Sequence, residues 1–206
     1  MSLEKLDPET RALLALAGAI ATGEEPRVAV CCEECVARGV SALWVDELLL
    51  QSVLLVGWPR ALSALAVWRR IGPAAALQEE DGTDYSRAAV WRARGEAVCR
   101  EVYGENYARL RDNVRALHPA LDAWMVIEGY GKTLGRPGLD LARRELCVAM
   151  QVAIQGAERQ LHAHLKGALN AGASHAAVAE ALELTRPLLG AREGELAGML
   201  WERVRQ

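Results

Sequence analysis

Apolar residues recur at intervals of three and four along nearly the whole chain, and β-branched runs bounded by turn residues are scarce. This period is that of an amphipathic α-helix, so the pattern predicts an all-α protein. Helix starts are marked by Asp7-Pro8 and by Ser41, because Asp and Ser suit the N-cap and Pro the first helical position. The predicted helices cover about residues 8–22, 26–39, 41–56, 59–70, 84–102, 105–117, 121–130, 139–155, 158–171, 174–189 and 191–205.

An internal repeat organises these helices. Residues 6–70 align without a gap with residues 139–203, a shift of 133 positions (139 minus 6), and glycines and caps fall at the same helix ends. The repeat predicts a helical bundle of two pseudo-symmetric four-helix units. We therefore divide the chain into a first, degenerate repeat (1–70), a linker (71–83) and a unit of residues 84–206 that contains the second repeat (139–203). Together they are expected to form one compact structural domain.

Composition narrows the class of protein. Of 206 residues 51% are hydrophobic and 25% charged, and the net charge is −3, as in an ordinary globular protein. No basic stripe with interleaved aromatic residues indicates nucleic-acid binding, and no uninterrupted apolar run reaches the roughly 18 residues of a membrane span. The N-terminus lacks a signal-peptide pattern, and five cysteines suit a reducing compartment. We expect a cytoplasmic protein without nucleic-acid or membrane partners.

Two titratable residues of the second repeat are expected to face each other from adjacent helices. Glu145 lies on an apolar helix face, and His164 shares its face with small and apolar residues, whereas His162 lies on a charged face. A carboxylate and an imidazole turned inward together suit general acid–base chemistry. The equivalent positions of the first repeat are Ala12 and Cys31, so only the second repeat is expected to hold a catalytic pair.

Cys32-Glu-Glu-Cys35 is a second candidate site. A Cys-x-x-Cys pair can form a redox disulfide, in which a thiolate is the attacking species. The pair lies well inside a predicted helix, where the helix dipole helps little, and two glutamates disfavour the thiolate. These residues remain possible redox cysteines. A zinc site is not expected, because no second Cys/His pair has suitable spacing.

The chain resembles the carboxymuconolactone decarboxylase family, which includes the alkylhydroperoxidase D (AhpD) proteins. The resemblance is clearest over about residues 95–180 and is carried by several motifs in order: Gly95 through Arg100-Glu-Val-Tyr-Gly104, Tyr130-Gly131, Arg136-Pro-Gly-Leu-Asp140, Arg144-Glu145-Leu146 and His164-Leu-Lys-Gly-Ala-Leu-Asn-Ala-Gly172. In the first repeat, Glu47-Leu-Leu-Leu-Gln51 and Gly57-Trp-Pro59 resemble the end of the family motif.

The resemblance implies a cofactor-independent lyase acting on a small lactone or carboxylate by Glu/His proton transfer, within a homo-oligomer (dimer or trimer). Glu145 and His164 match the family's acid and histidine, and Arg136 or Arg144 could bind a substrate carboxylate by a bidentate contact. The peroxidase branch would place cysteines at 157 and 160, which are Ala157 and Gln160 here.

Two alternatives stay open at this point. The first is an alkylhydroperoxidase-like thiol peroxidase, with peroxiredoxin-type activity, that uses Cys32 and Cys35. The second is a non-catalytic helical oligomer that binds a small ligand.

Overall fold

A computed structural model describes residues 3–73 and 81–206, and in these residues the secondary structure is helical, with one isolated β-bridge between Leu3 and Ala173. The prediction of an all-α fold is confirmed. The helices are α1 (Pro8–Thr22), α2 (Glu25–Ala37), α3 (Ala42–Ile71), α4 (Ala88–Tyr103), α5 (Tyr107–Leu117), α6 (Pro119–Trp124), a π-helical segment (Met125–Leu134), α7 (Leu141–Ile154), α8 (Glu158–Asn170), α9 (His175–Thr185) and α10 (Ala191–Val204).

The chain forms two compact units. Unit 1 consists of Met1–Ala75 and Gly138–Gln206 and so contains α1–α3 together with α7–α10. Unit 2 consists of Ala76–Pro137 and contains α4–α6 and the π-helical segment. The predicted divisions are continuous stretches of the sequence, whereas unit 1 combines two segments that are far apart in the sequence. Residues 74–80 of the predicted linker lie outside the described residues.

Equivalent helices of the two repeats begin and end in the same way. Asp7 caps α1 by accepting a hydrogen bond from the backbone N–H of Thr10, and Asp140 caps α7 through the N–H of Arg143. The α1–α2 and α7–α8 turns contain Gly23 and the equivalent Gly156, whose φ angles of 76° and 64° are left-handed. A glycine adopts that conformation without the steric cost of a Cβ atom, so both turns follow from the sequence.

The two repeats are joined by a pair of pseudo-symmetric Arg–Glu contacts. Arg144 of α7 donates to Glu47 of α3 over 2.8 Å and, through Nε, to the carbonyl oxygen of Leu139 over 3.0 Å. At the equivalent positions, Arg11 pairs with Glu180 and donates through Nε to a carbonyl oxygen five residues earlier. Each contact connects one repeat to the other, which is the arrangement expected of two units related by a pseudo-two-fold axis.

Two predicted helix boundaries differ from the observed ones. The break expected at Gly57-Trp-Pro59 is confirmed, because Gly57 has non-helical backbone angles (φ 74°, ψ 168°) and divides α3 into two helical stretches joined by a kink. The last residues of the predicted helix 174–189 form a 3₁₀ turn, Arg186–Leu188, because Pro187 cannot continue the α-helical hydrogen bonds. The predicted turn at 131–138 is also partly wrong, since the π-helical segment extends to Leu134.

Helix α3 is the one helix among the described residues that is long and apolar enough, by length and composition, to cross a membrane. Its buried polar side chains belong to a protein core instead. Glu47 and Gln51 bond to Arg144, and Ser52 accepts a hydrogen bond from Gln151 over 2.8 Å. Because these polar groups are satisfied by α7, α3 has the contacts of a core helix of unit 1.

In unit 2, α4 and the π-helical segment cross at two glycines. A methyl group on Gly131 would overlap the carbonyl oxygen of Trp91, and one on Gly95 would overlap that of Val126. Arg94 donates through Nε to the carbonyl oxygen of Gly131 over 2.6 Å and so ties the two elements together. Only residues without a side chain allow this close approach of two backbones.

Replacing Gly131 by Ala is therefore expected to lower the free energy of unfolding by about 3 kcal/mol, the upper part of the range for overpacking. Chemical denaturation followed by circular dichroism measures this loss. Gly129→Ala is the matched control in the same segment, because its methyl group would meet only the Trp124 carbonyl oxygen at 3.9 Å. Equal stability of the two variants would contradict the close crossing.

Candidate functional site

The two predicted acid–base residues are in direct contact. The Nδ1 atom of His164 on α8 lies 2.7 Å from Oε2 of Glu145 on α7, which is within hydrogen-bond distance. Glu145 is fully buried and His164 is 8% exposed. The sequence prediction that these residues face each other from adjacent helices therefore agrees with the geometry, whereas their role in catalysis stays a proposal.

The local sequence explains how Glu145 reaches this position. Asp140 caps α7 by accepting a hydrogen bond from the backbone N–H of Arg143, and it also accepts one from the Arg143 side chain over 2.7 Å. The helix therefore begins at Leu141, four residues before Glu145. Every residue from Ala142 to Ala153 is buried, so α7 is a central helix of unit 1 and its side chains have little freedom. On α8, His164 is flanked by the buried residues Leu161 and Ala168, which fix the side from which it meets Glu145.

The second carboxylate oxygen of Glu145 is not bonded. Oε1 is buried and has no hydrogen-bond partner among the described residues. A buried acceptor without a partner is costly, and such atoms in native proteins are rare enough to need an explanation. A substrate or water that binds next to Oε1 would provide it. Of the two carboxylate oxygens, Oε2 bonds to the histidine and Oε1 has the capacity to accept a further hydrogen bond.

His164 connects this buried carboxylate to the protein surface. It contacts Glu145 on one side and retains a small exposed fraction, while Glu145 has none. A proton exchanged between solvent and Glu145 can therefore pass through the imidazole, which has two ring nitrogens that can each carry a proton. His162, which the sequence placed on the other face of α8, is half-buried, and burial and the nearby Lys166 and Arg203 lower its pKa.

Arg144 has different contacts from those predicted. Its guanidinium is fully buried and donates to Glu47, to Gln51 Oε1 over 3.1 Å and to the Leu139 carbonyl oxygen. All three guanidinium nitrogens thus bond to the protein itself. These contacts conflict with a bidentate contact to a substrate, because the required N–H groups are occupied and inaccessible; we assign Arg144 a scaffold role instead.

The partners of Arg144 were missed in the sequence because Glu47 and Gln51 are more than 90 residues away. One signal could have found them. Arg11 and Arg144 are equivalent in the two repeats, and so are Glu47 and Glu180, so an Arg and a Glu recur together. The other predicted substrate-binding residue, Arg136, is a half-buried residue of unit 2, and its role stays a prediction.

The cysteines of the Cys-x-x-Cys sequence are buried free thiols. Cys32 and Cys35 are both fully buried on α2. Burial raises the pKa of the Cys32 thiol to about 12, with further contributions from Cys31 and Glu33. Burial also raises the pKa of Cys35, and the neighbouring Cys32 adds to that effect. Because the thiolate is the form that attacks peroxide, a raised pKa makes the reactivity of Cys32 toward peroxide low at neutral pH.

We therefore expect Cys32→Ser to leave the rate of peroxide consumption at the wild-type value. The native thiols should also react slowly with a thiol reagent, and rapidly once a denaturant exposes them. Cys31→Ser, at a half-buried position of the same helix, is the matched control. If Cys32→Ser abolishes peroxide consumption while the protein remains folded, the chain is a thiol peroxidase.

Unit 1 also has two clefts at other places than the Glu145–His164 pair. A cleft of about 180 Å³ is lined by residues of α1, α2 and α3, and one of about 370 Å³ lies between α9 and α10. Neither is lined by Glu145 or His164. In the described part of the chain, no three His, Cys, Asp or Glu residues are grouped so that they could hold a metal ion.

Comparison with known families agrees with the two-repeat organisation of the chain. The profile of the carboxymuconolactone decarboxylase family matches residues 1–70 and 118–197. The chain belongs to the carboxymuconolactone decarboxylase family. The first matched region is the first repeat. The second matched region contains most of the second repeat, including Glu145 and His164. Residues 71–117, including the predicted motif at 95–104, lie outside this family match. A search of curated proteins found no match.

Proposed function

We propose that the chain is a cofactor-independent lyase in which Glu145 and His164 transfer a proton to a small lactone or carboxylate substrate. The observation that carries the proposal is the buried 2.7 Å contact between the two side chains, together with the second oxygen of Glu145, which bonds to none of the described residues. Membership in the carboxymuconolactone decarboxylase family supports the same reaction class. The small-molecule substrate, the homo-oligomeric state and the cytoplasmic location belong to the proposal as well.

In the proposed reaction, the bond between the substrate carbon and its carboxylate breaks, and the electron pair stays on the carbon while CO₂ leaves. Glu145, in its protonated form, donates the proton through Oε1 to that carbon. His164 then donates a proton to Oε2, rotation of the carboxyl group brings that proton back to the position that faces the substrate, and His164 is itself reprotonated from solvent. No electron acceptor is needed, because the C–H bond that forms takes the electrons of the C–C bond that breaks.

Proton donation by a positioned group contributes about 10²–10⁴-fold to a rate. The remainder of the acceleration has to come from holding the substrate beside Oε1, where correct orientation can be worth about 7–11 kcal/mol. Glu145 is suited to this because α7 is buried along its length and the carboxylate is held by His164.

The proposal is tested by incubating the protein with a panel of small lactones and carboxylates in D₂O. We expect release of CO₂ from at least one compound, together with one deuterium on the carbon that carried the carboxylate, both detected by NMR. Heat-denatured protein is the background control. Thiol-dependent peroxide consumption without any C–D bond formation would favour the peroxidase alternative, and saturable binding without turnover would favour the ligand-binding one.

A further inference from the structure

We propose that Gln51 is a positioning residue for Glu145, contributed by the first repeat; this inference rests on the function proposed above. Gln51 lies on α3 and is fully buried. Its Nε2 atom donates to the carbonyl oxygen of Arg144 over 3.3 Å, and its Oε1 atom accepts from Arg144 Nη1 over 3.1 Å. A single amide thus binds both the backbone and the side chain of the residue that precedes Glu145.

The backbone contact acts directly on Glu145. The Arg144 carbonyl belongs to the peptide unit that joins Arg144 to Glu145, and a peptide unit is planar from one Cα to the next. A hydrogen bond to the oxygen of this unit therefore restricts the position of the Glu145 Cα atom and the direction in which the Glu145 side chain points. Because Glu145 Oε2 contacts His164 at 2.7 Å, a small rotation of α7 at this point would change that distance.

The contact is not required to satisfy the carbonyl itself. Arg144 lies inside α7, where its carbonyl oxygen is positioned to accept the helical N–H four residues later. A carbonyl oxygen has two lone pairs, so the amide of Gln51 adds a second hydrogen bond from another repeat. Arg144 also has the carboxylate of Glu47 as its counter-ion. The charges of Arg144 and Glu47 already balance, so the contribution of Gln51 is to orient Arg144 and its backbone.

The other repeat provides an internal comparison. The position equivalent to Gln51 is Leu184, and the arginine equivalent to Arg144 is Arg11, which is followed by Ala12. Arg11 keeps its glutamate partner, so the Arg–Glu contact occurs in both repeats. The amide is found only opposite the arginine that precedes an acid. Gln51 and Glu145 thus belong to the same copy of the Arg–Glu contact, and the other copy has apolar residues at both positions. A purely architectural role of Gln51 would not require this coincidence.

The test that does not depend on turnover is the imidazole ¹⁵N NMR spectrum of ¹⁵N-histidine-labelled protein. Glu145→Gln defines the shift of His164 when the carboxylate contact is changed. We expect Gln51→Met to move the His164 Nδ1 shift toward that value. Gln51→Glu keeps an acceptor for Arg144 Nη1 but removes the donor to the carbonyl, so it should move the shift similarly even if Gln51→Met fails to fold.

Gln155→Met is the matched control. Gln155, at the C-terminal end of α7, also joins α7 to α3, by donating through Nε2 to the Leu55 carbonyl oxygen over 2.9 Å. It is ten residues from Glu145, about 15 Å along a helix, so its loss should leave the His164 shift unchanged. A wild-type His164 shift in both Gln51→Met and Gln51→Glu would overturn the proposal.

The second measurement uses any compound that the wild type decarboxylates. Gln51→Met should lower kcat by about 10–100-fold with little change in KM, as expected when a reacting group is displaced by up to about 1 Å. An unchanged kcat would overturn the positioning role. If the wild type turns over none of the compounds, the proposed function fails, and the NMR result still decides whether Gln51 positions Glu145.

Discussion

Glu145→Gln is expected to lower the rate of substrate turnover by about 10²–10⁴-fold, the contribution of general acid–base catalysis. Glutamine has nearly the same size and can still accept a hydrogen bond from His164 Nδ1, so the fold should be retained. It cannot donate a carboxylic proton from the position of Oε1, which has no hydrogen-bond partner among the residues that the structure describes. Substrate affinity should change little. Steady-state kinetics together with thermal unfolding measures both effects.

Glu158→Gln is the control for this variant, because Glu158 is an exposed carboxylate on α8, the helix that carries His164. It should turn over substrate at the wild-type rate. Wild-type turnover in Glu145→Gln would exclude Glu145 as the proton donor. Loss of turnover together with loss of folding would instead show that Glu145 is needed for structure, and the comparison of unfolding temperatures separates these outcomes.

The second large effect is expected at the buried Arg–Glu contact. Glu47→Gln removes the counter-ion of Arg144, a guanidinium that is fully buried and that stays charged at all accessible pH values. Breaking a buried pair in this way costs about 3–5 kcal/mol, because one charge is left uncompensated. The change in the free energy of unfolding, measured by chemical denaturation, is the direct observable.

The repeat supplies the control. Glu180→Gln breaks the equivalent contact with Arg11, whose side chain is 51% exposed, and should cost at most about 1 kcal/mol. The double variant Glu47→Leu with Arg144→Met should recover much of the stability, since an apolar pair of similar size needs no desolvated charge. Equal losses in Glu47→Gln and Glu180→Gln would show that burial does not govern the strength of this contact.

The sequence predicted the features that depend on local chemistry. The N-cap expected at Asp7 recurs at the equivalent Asp140, glycines lie at the same helix ends in both repeats, and the helix period places Glu145 on a buried face of α7. These predictions succeeded because capping, glycine conformation and side-chain direction are determined within a few residues of the chain. The gap-free repeat added the long-range information that local rules lack.

The features that were missed depend on partners far away in sequence. Arg144 was one of two arginines that could bind a substrate carboxylate, and the sequence around it gives no sign of Glu47 and Gln51, which bond to its guanidinium. The π-helical segment was likewise not predicted, since its extra residue per turn has no signature in the apolar period. Its close packing at Gly131 becomes evident only when the backbone of α4 is placed against it.

The most direct test of the Glu145–His164 relay is the turnover of Glu145→Gln, His164→Gln and the double variant, measured with the same substrate in D₂O. Residues that act in one proton path have effects that do not add. We predict that the double variant loses no more activity than the more impaired single variant. Losses that multiply, or wild-type turnover in either single variant, would contradict a shared proton path through Glu145 and His164.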